Sequence, residues 1–146
     1  MNYNAAFFGL FENVFKLLKE EYGEDQALKH FATLMERGLS KSYGEIAQKG
    51  NPSEFERLVA ERDKLVGLRV VFPMVSDSEL IYQFHDDPFP NLKGYVDSAK
   101  LDHCYMNFKV QYILGPDWVY KTTKHLWNGD ACTEHVIYKI NSQIEN

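Results

Sequence analysis

The segment from Val119 to Ile140 restricts the fold more than any other part of this sequence. Two runs rich in β-branched and aromatic residues flank the dipeptide Asn128-Gly129. Asn-Gly favours a two-residue type I′ turn, because both central positions of that turn need positive φ. The segment therefore predicts an antiparallel β-hairpin.

A two-residue turn also predicts which side chains of the hairpin meet. His125 would lie opposite Cys132, and Thr123 would lie opposite Glu134, with Cβ atoms about 4.5–5.5 Å apart. An imidazole, a thiol and a carboxylate would then share one face. That face continues with apolar residues, so we expect it to point into the core: Val136, Tyr138 and Ile140.

The first half of the chain has the periodicity of amphipathic helices. Apolar residues at three- and four-residue steps predict one helix from a cap at Asn4 to about Tyr22 and a second from Glu24 to Gln48. A third is expected from Pro52-Ser53 to about Val66, because Ser53 and Glu56 have the spacing of a capping box.

The pattern changes after Gly67, where two strands are predicted at Leu68–Val75 and Glu79–His85, with Pro73 marking an edge or a bulge. A further helix is expected from about Asp97 to Leu114. With the closing hairpin, this order predicts an α+β fold: N-terminal helices and an antiparallel sheet of two hairpins with one helix between them.

Length and composition fit a single domain over residues 1–146, with 45% hydrophobic and 25% charged residues. The net charge of −5 and the lack of a Lys/Arg cluster argue against nucleic acid or an anionic membrane as partner. No apolar run approaches the about 20 residues that span a bilayer, and no signal peptide is visible, so we expect a cytoplasmic protein with free thiols. The glycine motifs of nucleotide-binding enzymes and of serine hydrolases are missing from the sequence, and we predict no cofactor.

The first helix has an unusually wide apolar face, which includes Phe7, Phe8, Phe11 and Phe15. Such a face suggests burial on two sides, and a homodimer contact through this helix is one way to achieve it. A membrane-surface helix is the alternative, but several glutamates offset the few lysines.

The pairing of His125 with Cys132 suggests nucleophilic chemistry. An imidazole beside a thiol can take its proton and leave a thiolate, which attacks electrophilic carbon, and Glu134 could orient the ring. The alternative is that Cys132 fills a strand position as a small buried hydrophobe. Metal binding by these three residues, with His103 or Cys104, is also open.

Two further clusters have a functional and a structural interpretation. Cys104 and Asn107 lie three residues apart, on one helical face that could line the same cavity as Cys132, although Cys104 and Tyr105 could simply belong to the core. His85-Asp86-Asp87, at a strand end, could be an acid/base or metal cluster or only a hydrophilic loop. Asp130 follows Asn-Gly, where an aspartate often supports the turn.

The closing segment resembles the L-2-amino-thiazoline-4-carboxylic acid hydrolase family, in which a Thr-x-x-Leu-x-x-Gly-Asp-x-x-Cys segment follows a helix with its own cysteine. Here the segment is Thr123–Cys132, with one residue instead of two between Asp and Cys, and Cys104 is the upstream cysteine. Asn107 stands where the family has an acidic residue. Glu21–Leu28 and Met35–Gly38 also resemble the helical start of the family.

The order of elements is more distantly similar to the four-vinyl reductase domain, which shares its fold with haem nitric-oxide sensors and a Golgi-trafficking subunit. The resemblances imply either a hydrolase that opens a C–N bond of a small thiazoline-like heterocycle, or a non-catalytic domain that binds or senses a small apolar ligand. For the hydrolase, Cys132, His125 and Cys104 are the predicted catalytic residues. The residues predicted to bind the substrate are Asn107, Asp130, Trp127, Glu134 and Tyr105.

Overall fold

The computed structural model describes residues 3–140 and confirms the α+β class. Within these residues the elements follow one another as helices, hairpin, helix and hairpin. The helices are α1 (Ala5–Tyr22), α2 (Glu24–Tyr43), α3 (Pro52–Leu65) and α4 (Ser98–Ile113), and the strands are β1 (Val70–Val75), β2 (Glu79–Phe84), β3 (Trp118–Lys124) and β4 (Thr133–Lys139). No helix in this part of the chain is both long and apolar enough to cross a membrane.

The four strands form one antiparallel sheet with the order β1-β2-β4-β3. The two hairpins therefore meet through β2 and β4, and β1 and β3 are the edges. The register of β1 shifts between Val71 and Met74, which confirms the edge or bulge predicted at Pro73. Proline has no N–H to donate to a neighbouring strand, so it is tolerated there.

One face of the sheet and the inner faces of the helices form a single hydrophobic core. Helix α4 lies against α2 on one side and β3 on the other, which explains why it is buried around most of its circumference. The largest fully buried side chains include Trp118, Tyr82, Phe15, Phe31 and Phe55. Aromatic rings thus supply much of the core, as the composition suggests.

One predicted helix end and one predicted cap are wrong for local reasons, although α3 begins at Pro52, as predicted. Helix α2 ends at Tyr43 and not at Gln48, because Gly44 adopts φ 73°, outside the helical region. Helix α3 is capped by Asn51, whose Oδ1 accepts hydrogen bonds from the amides of Ser53 and Glu54 at 3.0 and 3.2 Å. The capping box predicted from Ser53 is therefore not the cap.

The closing hairpin has the predicted register but not the predicted turn. Val119 pairs with Tyr138, and Thr122 with His135, as a two-residue turn requires. At Lys124, however, the register shifts so that Lys124 pairs with Glu134. Residues 125–132 form a longer connection that contains a 3₁₀ turn over Leu126–Asn128. His125 and Cys132 are therefore not a cross-strand pair.

The predicted inward face of β4 is also wrong. Of the residues predicted to face inward, Val136 is buried, but Tyr138 and Ile140 are 36% and 50% exposed. On the other face, His135 and Ile137 are fully buried and Thr133 nearly so. The polar residues that face the core have hydrogen-bond partners there, except for Nε2 of His135, which has none among the described residues. Thr122 Oγ1 lies 2.9 Å from His135 Nδ1, and Thr133 Oγ1 accepts from the amide of Leu126 at 3.0 Å.

Candidate functional site

The most site-like feature is an apolar cavity, called here the aromatic cavity, where α1 and α2 pass over the end of α3 and the sheet. Its volume is about 60 Å³. Edge-to-face contacts order its wall: the ring centroids of Phe7 and Phe8 are 5.1 Å apart, and those of Phe8 and Phe89 are 5.6 Å apart. The other lining residues include Phe11, Met35, Leu39, Phe84 and Tyr105. Its lining, mostly apolar with a few polar groups, has the chemistry of small-molecule sites, but its volume is well below the about 300–1,000 Å³ that such sites usually have.

The polar groups of the aromatic cavity belong to a buried charged cluster. Lys109 from α4 and Asp63 from α3 both line the cavity, and each is only 3% exposed. Lys109 Nζ lies 3.8 Å from Asp63 Oδ1 and donates a 2.9 Å hydrogen bond to Tyr82 Oη, while Tyr82 donates to Asp63. Burial lowers the pKa of the Lys109 ammonium, and the Asp63 carboxylate opposes that effect. A buried amine is thus held beside an apolar space.

The entrance to the aromatic cavity lies between α2 and the end of α3. Leu34 is 40% exposed and Arg62 is half-buried, although both line the cavity. Gly38 lines it as well, and a Cβ atom built on Gly38 would meet no atom within 4 Å. Gly38 is exposed, so the space at its Cβ position faces solvent at the edge of the cavity.

His125 lies in a second buried cluster, away from any thiol partner. Its Nδ1 accepts a 3.0 Å hydrogen bond from the amide of Trp127, and its Nε2 lies 2.9 Å from Asp102 Oδ2. The neutral ring therefore carries its proton on Nε2 and donates it to Asp102. Tyr105 donates to the other oxygen of Asp102 at 2.9 Å. With both nitrogens engaged, His125 cannot act as the base for Cys132 in this geometry.

Asp87 extends this cluster to the loop after β2. Its Oδ2 accepts a 2.6 Å hydrogen bond from the indole N–H of Trp127, and Oδ1 accepts from the amide of Phe89 at 2.9 Å. Burial raises the pKa of the Asp87 carboxyl. Asp87, Asp102, His125 and Trp127 border a void of about 10 Å³, close to the smallest space that holds one water molecule.

Cys104 and Asn107 lie in a third place, an open groove of about 880 Å³ between α2, α4 and β3. The thiol of Cys104 is directed at the carbonyl oxygens of Leu28 and Lys100, at 3.4 and 3.5 Å. Burial raises its pKa to about 12. A thiol that is protonated and bonded in this way is not a prepared nucleophile.

The remaining predicted residues are dispersed. Cys132 is buried but borders none of these three spaces. Glu134 lies on the sheet face opposite the core, where it accepts from Thr123 at 2.6 Å and from Gln83 at 2.7 Å. Asp130 accepts a hydrogen bond from the amide of His125 at 2.8 Å. This contact supports the connection between the strands, which is the structural role considered for Asp130 from the sequence. Of the predicted set, the structure brings His125, Trp127 and Tyr105 together around one small void, with Asp130 bonded to the His125 amide. It places Cys104 and Asn107 together in the separate open groove.

Cys104 and Cys132 are both unpaired thiols, as predicted. Within residues 3–140, no three His, Cys, Asp or Glu side chains gather in a way that could hold a metal ion. The metal set considered from the sequence, His125, Cys132 and Glu134, is divided between the connection and the outer face of the sheet.

Sequence analysis missed the residues that make the buried clusters: Asp63, Asp102 and Lys109. Each is a charged residue on a helix, and charged residues are ordinarily on the solvated face. Helix α4, which carries Asp102 and Lys109, is instead buried around most of its circumference. Asp87 was noted within His85-Asp86-Asp87, and the acid/base interpretation of that triplet was the signal that could have found it.

No protein-family model matches this chain, and no curated protein is significantly similar to it. The resemblance of Thr123–Cys132 to the thiazoline-carboxylate hydrolases therefore stays a prediction.

Proposed function

We propose that this chain is a non-catalytic binding domain that takes the apolar end of a small molecule into the aromatic cavity. The observation that supports this function best is the combination of an apolar space with buried polar groups at its wall. Apolar walls favour transfer of a hydrocarbon group from water by about 25 cal/mol per Å² of surface. Lys109 and Asp63 are available to orient a polar atom of the ligand.

The size of the cavity restricts the ligand. A cavity of roughly 150 Å³ holds a benzene molecule, whereas the aromatic cavity has about 60 Å³. A narrow alkyl group fits this space better than a ring. Because Leu34 and Arg62 at the entrance are partly exposed, the remainder of a longer ligand can extend into solvent.

Two helical glycines provide a matched test of this proposal. Gly38 lines the cavity, Gly9 in α1 does not, and a Cβ on either would meet no atom within 4 Å. We expect isothermal titration calorimetry to detect 1-hexanol binding to the parent and to Gly9→Leu, with a negative heat-capacity change. Gly38→Leu should place its side chain in the entrance and abolish the heat. Equal binding by the two variants would contradict the proposal.

Hydrolysis of a small heterocycle is the other function predicted from the sequence, and the geometry favours it less. Cys132 has no imidazole partner, since His125 is engaged by Asp102 and Trp127. Ring-opening turnover measured for Cys132→Ser and Cys104→Ser beside the parent tests it. Turnover by the parent that both substitutions abolish would establish cysteine catalysis.

A homodimer through α1 is also part of the proposal. Phe8 and Phe15 are buried within the subunit, but Leu10 and Leu17, seven residues apart on one side of the helix, are 63% and 59% exposed. These leucines support a self-association surface. Sedimentation velocity of the parent beside Leu10→Glu and Leu17→Glu tests it, and a parent that is monomeric at all concentrations would contradict it.

The predicted cytoplasmic location belongs to the proposal too. Two buried unpaired thiols suit a reducing compartment, in which disulfides are rare. Localisation of the full chain by fractionation tests this, and recovery outside the cytoplasm would contradict it.

A further inference from the structure

Lys109 presents a buried amine at the wall of the aromatic cavity. Its side chain reaches the wall of the aromatic cavity from α4 and is 3% exposed. Nζ lies 5.2 Å from the ring centroid of Tyr105 and 5.4 Å from that of Phe84, and both rings line the cavity. The amine therefore lies beside two rings that form the wall of the cavity.

The hydrogen bonding of this amine is incomplete. Within residues 3–140, the 2.9 Å contact with Tyr82 is its one hydrogen bond, and Asp63 Oδ1 at 3.8 Å is too distant for another. A buried ion pair is stable when its geometry is good and its remaining donors are satisfied. Lys109 meets neither condition fully, so its amine has capacity for a further partner.

We propose that Lys109 forms an imine with a small apolar aldehyde or ketone held in the aromatic cavity, an inference that rests on the proposed binding function. The lone pair of neutral Nζ attacks the carbonyl carbon, and the carbonyl oxygen takes up a proton as the C–O π bond breaks. Nζ loses one proton to give the neutral carbinolamine. The hydroxyl then takes up a second proton and leaves as water, and Nζ loses its other proton as the C=N bond forms. One water leaves, and no oxidant or reductant is needed.

Tyr82 and Asp63 are placed to move the protons of these steps. Tyr82 Oη accepts the hydrogen bond from Nζ, and its own proton is donated to Asp63. A proton that leaves Nζ can therefore pass to Tyr82 as Tyr82 passes its proton to Asp63. The reverse transfer supplies a proton to the departing hydroxyl. Desolvation of a lysine in an apolar pocket is a known way to make its amine nucleophilic, and burial lowers the pKa of Lys109.

Reductive trapping of the full chain tests the inference. The protein is incubated with hexanal and sodium cyanoborohydride at neutral pH, and peptide masses locate the added alkyl group. Burial lowers the pKa of the Lys109 amine and so raises its neutral fraction, and the cavity holds the aldehyde beside it. We therefore expect Lys109 to be labelled faster than the exposed Lys41. Excess 1-hexanol and Gly38→Leu should suppress it, whereas Gly9→Leu should not.

The outcomes separate the two proposals. Calorimetric binding of 1-hexanol without labelling of Lys109 overturns the imine and leaves the binding function standing. If neither calorimetric binding of 1-hexanol nor labelling of Lys109 is observed, the binding function is overturned, and the imine proposal that rests on it is overturned as well. If neither Gly38→Leu nor 1-hexanol reduces the labelling of Lys109, the reaction does not take place in the aromatic cavity. Lys109→Arg, which keeps the charge beside Asp63, should lose the adduct while its circular dichroism spectrum stays unchanged. The peptide masses of the labelled parent locate the modified lysine even if this variant does not fold.

Discussion

His125 Nε2 and Asp102 Oδ2 lie 2.9 Å apart in a buried contact that joins the connection after β3 to α4. Tyr105 and the amide of Trp127 complete the bonding of the pair. Both carboxylate oxygens of Asp102 and both ring nitrogens of His125 therefore have hydrogen-bond partners. Through these bonds the pair holds the connection between β3 and β4 against α4. We interpret it as a structural brace beside the aromatic cavity.

Asp102→Ala tests the brace, since it leaves the His125 N–H and the Tyr105 hydroxyl without an acceptor. We expect the free energy of unfolding to fall by about 2–4 kcal/mol. In a double-mutant cycle with His125→Ala, measured by denaturant unfolding, the coupling energy should be about 1–3 kcal/mol. Strict additivity of the two substitutions would show that the contact does not stabilise the fold.

His135 predicts a pH dependence of stability. Burial lowers its pKa from 6.5 to about 4, and the ring contacts Thr122 and three aromatic rings in the core. Asp102 opposes this shift, and Lys109 and His125 add to it. Between pH 6.5 and about 4 the unfolded chain therefore binds a proton that the folded chain does not.

The free energy of unfolding should accordingly fall with decreasing pH in that interval, by up to about 1.4 kcal/mol per pH unit from this residue. His135→Asn removes the titrating group, so its urea-unfolding free energy should depend less on pH over the same interval. Parallel pH profiles for parent and variant would contradict this assignment.

The two cysteines should be unreactive in the folded protein. Burial raises the pKa of the Cys104 thiol to about 12, and Cys132 is 4% exposed. Iodoacetamide at pH 8, followed by mass spectrometry, should leave both unmodified in buffer and modify both in guanidinium chloride. Rapid alkylation of the folded protein at either position would contradict this prediction and support the hypothesis of a cysteine nucleophile.

Two glycines of α2 should respond to alanine in opposite directions. Gly38 lies inside the helix with open space at its Cβ position, so Gly38→Ala should raise the free energy of unfolding by about 0.5–1 kcal/mol. Gly44 adopts φ 73°, and Gly44→Ala should lower it by about 1 kcal/mol. Thermal and urea unfolding measure both. Destabilisation by Gly38→Ala would indicate a close contact at that position.

The comparison of sequence with structure shows what a local pattern can predict. The β-branched and aromatic runs around Asn128-Gly129 predicted the closing hairpin, and the assumed two-residue turn predicted its register. Val119 and Tyr138 confirm that register, which shifts by one residue at Lys124. The inward face could not be obtained in this way, because both faces of β4 carry apolar residues. The choice depends on more distant partners: Thr122 Oγ1 lies at hydrogen-bond distance from His135 Nδ1, and the amide of Leu126 donates to Thr133. Among the described residues, His135 Nε2 has no partner.

The burial of Asp63 and Lys109 could not be predicted from the sequence for a related reason. Asp63 and Lys109 are far apart in the chain, and each alone resembles an ordinary residue of a solvated helix face. Only the packing of α3 and α4 onto β2 brings them to Tyr82. The helices and the sheet could thus be predicted from periodicity, whereas the aromatic cavity depends on long-range contacts that periodicity does not specify.

Methionine methyl NMR during a 1-hexanol titration tests ligand entry into the aromatic cavity most directly. Met35 lines the cavity, whereas Met106 is fully buried in the core outside it. We predict a saturable shift of the Met35 methyl resonance, little change at Met106, and loss of the Met35 response in Gly38→Leu. A Met35 resonance that does not move, or that moves equally with Met106, would contradict the account.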